Sequence, residues 1–112
     1  MSQSKVYVAQ YVQKINYSPA QEYGELVFIT HQDLVPSLDM QYDPTRETNS
    51  RVMSEIMLSL SEYIPGHDYL MMTGNPVVVL AIGKHLAQWG GNVKHKILKW
   101  NNRMLKYDIY VI

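Results

Sequence analysis

The residues that could carry chemistry in this chain are few and lie mostly in its second half. There are four histidines, His31, His67, His85 and His95, and no cysteine. The histidine spacing matches neither H-E-x-x-H nor any other metal-ligand pattern. Lack of a thiol excludes Cys-ligated zinc, iron–sulfur clusters and thiol nucleophiles, and no serine sits in a G-x-S-x-G elbow. His67-Asp68 has the residue types of a general acid–base couple, but such a pair more often caps a loop. The sequence therefore assigns no catalytic residue, no metal ligand and no cofactor.

Two constellations remain. Thr73-Gly74-Asn75-Pro76 reads as a turn that opens a helix. Gly74 admits backbone angles closed to other residues, Asn75 suits the N-cap, and Pro76 suits the first helical position. Free amides at Val77 and Val78, with the Thr73 hydroxyl, would suit a small anionic ligand such as a nucleotide or phosphate. The motif lacks the length and lysine of a P-loop and lacks G-x-G-x-x-G, and any tight strand-to-helix turn calls for the same residues.

The second constellation is Lys94, Lys96, Lys99, Arg103 and Lys106 interleaved with Trp100, Tyr107 and Tyr110. On a β-ribbon such a set can track a nucleic-acid backbone and stack on bases, or meet a protein surface. Trp100, Leu98 and Tyr107 are expected on one inward face, with the stems of Lys94 and Lys96 passing the core edge. His95 is expected opposite Asp108 as a cross-strand ion pair.

Charge bears on the choice between these partners. Net charge is zero, yet residues 1–83 carry four Lys/Arg and nine Asp/Glu, whereas residues 84–112 carry six and one. A basic C-terminal third can meet phosphates or an acidic protein, or lie against the chain's own acidic part. A dedicated nucleic-acid binder is usually basic overall, so nucleic acid is not the favoured partner.

The elements that must position these residues follow from pattern. Lys5–Gln13 alternates β-branched and aromatic residues and reads as a strand. Ser18-Pro19-Ala20-Gln21 resembles a capping box that opens a single turn, with Ser18 as N-cap, and Gly24 can end it. Leu26–Ile29 is a continuous apolar run, expected as a strand buried on both faces. Residues 31–49 are irregular, a connection or a flap. A helix then starts at Asn49 or Ser50, carries Val52, Met53, Ile56, Met57, Leu60 and Tyr63 as its buried stripe, and stops at Pro65-Gly66.

Asp68–Ile112 reads as strand, turn, helix, strand, hairpin and strand. Tyr69–Met72 is the first strand, and a parallel crossover through the helix leads to Val93–Trp100. The last strand, Met104–Ile112, returns antiparallel. A two-residue turn at Asn101-Asn102 would set Leu98 against Leu105 and Lys96 against Tyr107, and a longer turn including Arg103 would shift every pair. The fold class is thus α/β: one domain over residues 1–112, a mixed sheet of about five strands, two main helices and a C-terminal β-hairpin.

The Pro76–Trp89 helix is apolar on most of its circumference, leaving Lys84, His85 and Gln88 as a narrow polar stripe. Such a helix is covered on more than one side, which favours a homodimer through it. Nine Tyr and seven Met also suit protein contacts. Met1–Lys5 lacks the apolar core of a signal peptide, and Pro76–Gly83, the longest apolar run, is too short for a bilayer. A cytoplasmic protein with no membrane partner is expected.

Asp68–Pro76, the following helix, Val93–Trp100 and the Tyr-bearing last strand, together with Tyr23–Phe28, resemble small uncharacterised proteins of tailed bacteriophages. There a strand, Thr-Gly-x-Pro, helix and strand ending in Leu-x-Trp recur. The resemblance implies expression in the cytoplasm of an infected bacterium and brings no catalytic residues. Where that turn often has Asp after Gly this chain has Asn75, which counts against a metal in the loop. The function expected is that of a non-enzymatic interaction or regulatory protein that binds a host or phage protein.

Overall fold

β1 (Lys5–Gln10) is the strand around which the molecule is built. It is flanked on both sides by parallel neighbours, β2 (Glu25–Thr30) and β3 (Tyr69–Met71). Its Val-Tyr-Val-Ala run is apolar toward both faces, and both are buried. A computed structural model describes residues 3–30 and 51–112. The irregular stretch 31–49 and the helix start at Asn49 or Ser50 lie outside the described residues. Beyond β3 come β4 (Lys96–Asn101), parallel to it, and β5 (Lys106–Val111), antiparallel to β4. The order β2-β1-β3-β4-β5 makes one mixed five-stranded sheet ending in a hairpin, as expected.

Strand pleating sorts the residues onto two faces. Tyr7, Ala9, Ile29 and Leu70 meet α1 (Arg51–Ser59) and α2 (Pro76–Leu86) through Val52, Ile56, Val78, Ala81 and Ile82. Val6, Val8, Met71, Leu98 and Tyr107 form the opposite face, closed by Tyr17 and Ala20 around a 3-10 turn at Ser18–Glu22.

Several sequence expectations are corrected by the packing. β1 stops at Gln10, three residues early, because side chains take over the hydrogen bonding at its end. The Tyr17 hydroxyl accepts from Val12 N (2.8 Å), and the Thr73 hydroxyl donates to Gln10 O (2.8 Å). Ser18 is not the N-cap of its turn. Tyr17 occupies that position, and Asn16 Oδ1 accepts from Ser18 N (3.1 Å). β2 is an edge strand with Phe28 exposed, not a strand buried on both faces. α1 ends at Ser59, ahead of Pro65-Gly66, and Met57 of the anticipated buried stripe faces outward.

The hairpin register differs by four residues from the two-residue turn. Asn101 pairs with Lys106, Trp100 with Tyr107 and Leu98 with Ile109. Asn101 Oδ1 accepts from Arg103 N (3.0 Å) and Met104 N (3.1 Å), which builds a wider loop. Leu105, at φ 52, closes it. His95 therefore lies opposite Ile112 and Asp108 opposite Lys99, and the His95–Asp108 ion pair does not form.

Asp68 ties the layers together from a buried position. Its Oδ1 accepts from Lys5 N (2.9 Å) and its Oδ2 from Ile64 N (2.8 Å). Ile64 O in turn accepts from Asp68 N (3.0 Å) and His67 N (3.1 Å), closing the turn before β3. Asp68→Asn would turn an NH₂ group against one of those two amides. A loss of roughly 1.5–3 kcal/mol in urea unfolding is expected. Glu62→Ala, which removes the exposed Lys5–Glu62 ion pair (3.3 Å), should change the midpoint far less. Equal effects of the two substitutions would contradict this role of Asp68.

Candidate functional site

The Thr73–Val78 turn forms as its residues dictate. Gly74 takes φ 102, where a Cβ would stand 2.6 Å from the Gln10 side chain. Asn75 is the N-cap and Pro76 opens α2. Several of its polar groups are, however, engaged within the chain. Asn75 Oδ1 accepts from Val77 N (2.8 Å), and Gln10 Oε1 accepts from Asn75 N (2.9 Å). The Thr73 hydroxyl donates to Gln10 O and lies 3.1 Å from the Tyr17 hydroxyl. Val78 is fully buried. These bonds fasten the start of α2 to the end of β1, and an anion would have to displace them.

His67 and Asp68 are adjacent but do not act as a pair. Both Asp68 oxygens accept from backbone amides, while His67 Nε2 is buried with no hydrogen-bond partner among the described residues. His31 lies outside the described residues. Among the described residues, no group of three His, Asp or Glu side chains could hold a metal ion.

His95 sits in an aromatic cluster invisible to residue spacing. Its Nδ1 lies 2.6 Å from the Tyr63 hydroxyl, and the two rings stack at 5.7 Å. Tyr7 and Trp89 meet the Tyr63 ring edge-on, each at 5.5 Å. Burial lowers the His95 pKa, and burial followed by the Asp68 charge raises that of Tyr63. Both shifts keep the pair neutral at pH 7. A histidine far along the sequence from Tyr63 and displaced from its expected partner gave no signal for this contact.

An open cleft of about 970 Å³ escaped sequence reading as well. Glu22, Tyr23, Glu25, Phe28 and His67 line it, and among the described residues its wall has two carboxylates and no lysine or arginine. The Ser4 hydroxyl donating to His67 O (2.7 Å) brings its distant walls together. Such a lining suits a neutral or cationic group better than an anion.

The basic–aromatic set divides over the hairpin. Register puts Lys96 and Trp100 on one face, with Lys96 Nζ 4.0 Å above the Tyr69 ring and Trp100 against Tyr107 at 5.0 Å. Lys99 and Lys106 are exposed on the other face, and Lys94 and Arg103 are exposed in flanking loops. Leu98 and Tyr107 are buried as expected, while Trp100 is partly exposed. Met104 and Leu105 at the tip are 64% and 74% exposed. Among the described residues none of these lysines, nor Arg103, joins an ion pair.

α2 covers one side of the sheet and leaves Val77 and Leu80 outward, Leu80 at 76% exposure. It ends at Leu86, followed by a 3-10 turn Ala87–Trp89 and Gly90 at φ 82. No helix among the described residues is long and apolar enough to cross a membrane.

Taken together, these features define a small α/β domain whose most distinctive surface is its C-terminal hairpin. The chain belongs to the family described as Phage Pam3 gp32-like protein, whose model matches residues 4–112. It is a phage protein, as the resemblance implied, and the match extends well past the segments that carried it. No curated protein and no solved structure matches the chain.

The sign of the His95 shift sets a pH dependence. As pH falls below 6.5, the unfolded chain takes up this proton before the folded one does. Stability is therefore full above that value and declines below it, levelling off once the lower folded pKa is passed. His85, lowered by burial, acts in the same direction. His95→Phe should flatten the decline of urea midpoints between roughly pH 7 and 5.5. An unchanged slope would show that His95 is not held neutral.

Proposed function

We propose that this chain is a non-enzymatic interaction protein, binding an acidic, partly apolar surface of a phage or host protein in the cytoplasm of the infected cell. One observation carries the reading: the hairpin loop exposes Met104 and Leu105 beside Arg103 at its tip, flanked by Trp100 on one face and by Lys99 and Lys106 on the other. Large apolar side chains beside cations that join no ion pair among the described residues resemble the core and rim of a protein interface. The loop is also well held, by two backbone bonds to Asn101 Oδ1 and by Asn101 Nδ2 donating to Asp108 Oδ2 (2.9 Å). A preformed loop loses little conformational entropy on binding.

Two other readings have less support. A small anion at Thr73–Val78 would compete with hydrogen bonds that hold the fold together. For nucleic acid, Trp100 and Lys96 lie on the face opposite Lys99 and Lys106, so the set does not form one continuous track.

The test is an affinity pull-down of tagged protein from infected cells, with and without nuclease. A stoichiometric protein partner is expected to survive nuclease and to be lost from Arg103→Glu/Met104→Asp, a double variant confined to the loop. A partner kept by the double variant, or released by nuclease, would overturn the reading.

A further inference from the structure

β5 is the outermost strand on the hairpin side of the sheet. His95 and Ile112 exchange both of their backbone hydrogen bonds, at 2.7 and 3.0 Å. In an antiparallel ladder, bonded and non-bonded pairs alternate, so Lys106, Asp108 and Tyr110 also turn their amides and carbonyls toward β4. The corresponding groups of Tyr107, Ile109 and Val111 point away from the sheet. Outer strands are commonly blunted by proline, bulges or several charges. This one has no proline, one lysine and one aspartate. Ile109, Tyr110, Val111 and Ile112 are 47–69% exposed.

We propose that β5 pairs antiparallel with β5 of a second copy of this chain, about a two-fold axis at Ile109, joining two five-stranded sheets edge to edge. Outward-facing residues must oppose outward-facing residues, and of the two-fold registers that do this, those centred at residues 108, 109 and 110 pair more than half of Lys106–Ile112. A centre at Asp108 sets that carboxylate against its own copy. A centre at Tyr110 leaves Lys106 and Tyr107 of each copy unpaired.

The centre at Ile109 uses the whole strand and places no like charges opposite each other. Tyr107 then faces the partner's Val111, Ile109 faces the partner's Ile109, and about six backbone hydrogen bonds close the seam. On the other face Asp108 lies opposite the partner's Tyr110 and Lys106 opposite the partner's Ile112. A two-fold seam matches every free donor to an acceptor with no other chain required, which is why a second copy is the occupant. The two hairpin loops would then stand roughly 35 Å apart, one at each end of the seam. This places the dimer contact on β5 rather than on α2, and it does not depend on the identity of any other partner.

The chain has no cysteine, so one introduced thiol reports unambiguously. At the axis, Ile109→Cys would bring two Cα atoms to about 5.5 Å, within disulfide span. The unmodified chain should sediment as a dimer, and Ile109→Cys should cross-link under mild oxidation much faster than Leu80→Cys on the outer face of α2. Ile109→Lys, at an exposed position, should sediment as a monomer with an unchanged circular dichroism spectrum. A monomeric unmodified chain at high concentration would overturn the proposal. So would Leu80→Cys linking as fast as Ile109→Cys, or a folded Ile109→Lys variant that remains dimeric.

Discussion

The arrangement of this domain depends on a buried carboxylate with two backbone amides as partners. Asp68 holds Lys5 N at the start of β1 and Ile64 N in the turn entering β3. Those strands are neighbours, so one side chain fixes the relative height of the central pair. A buried charge is tolerable only when hydrogen-bonded, and once bonded it strongly penalises other registers. Its field extends into the packing. With burial, it helps keep Tyr63 and Tyr7 protonated, and Tyr63 is the residue that receives His95.

The opposite end of β1 is fixed by neutral groups. Gln10 receives Asn75 N on its side chain and the Thr73 hydroxyl on its carbonyl, with the Tyr17 hydroxyl close by. Gly74 is required there because its missing Cβ leaves room for Gln10. The residues that could have cradled an anion thus have a structural use at the junction of β1, the 3-10 turn and α2. Both ends of the central strand are anchored to β3 and its flanking turns. The hairpin, farther out, is left with exposed apolar and basic side chains.

Much of this was legible in the sequence because local chemistry decided it. The N-cap at Asn75, the proline start of α2, the parallel β3–β4 crossover and the existence of the hairpin all follow from turn residues and hydrophobic period. What escaped were decisions made by distant partners. Leu26–Ile29 looks doubly buried by composition, but sheet order puts it at an edge. Asn101-Asn102 suggests a tight turn, whereas the Asn101 side chain captures two amides and widens the loop. That shift moved His95 off Asp108 and onto Tyr63. For the candidate surface, residue types identified the basic–aromatic set, but only register showed that it divides between two faces while Met104 and Leu105 join it at the tip.

The central claim, that the hairpin loop is where this phage protein meets another protein, is tested most directly by photo-crosslinking in infected cells. A photoreactive phenylalanine analogue at Met104 should yield one dominant protein adduct larger than the chain's own dimer. The same probe at Gln21, on the cleft wall, should yield none. Adducts from Gln21 alone, or only nucleic acid captured at Met104, would contradict the claim.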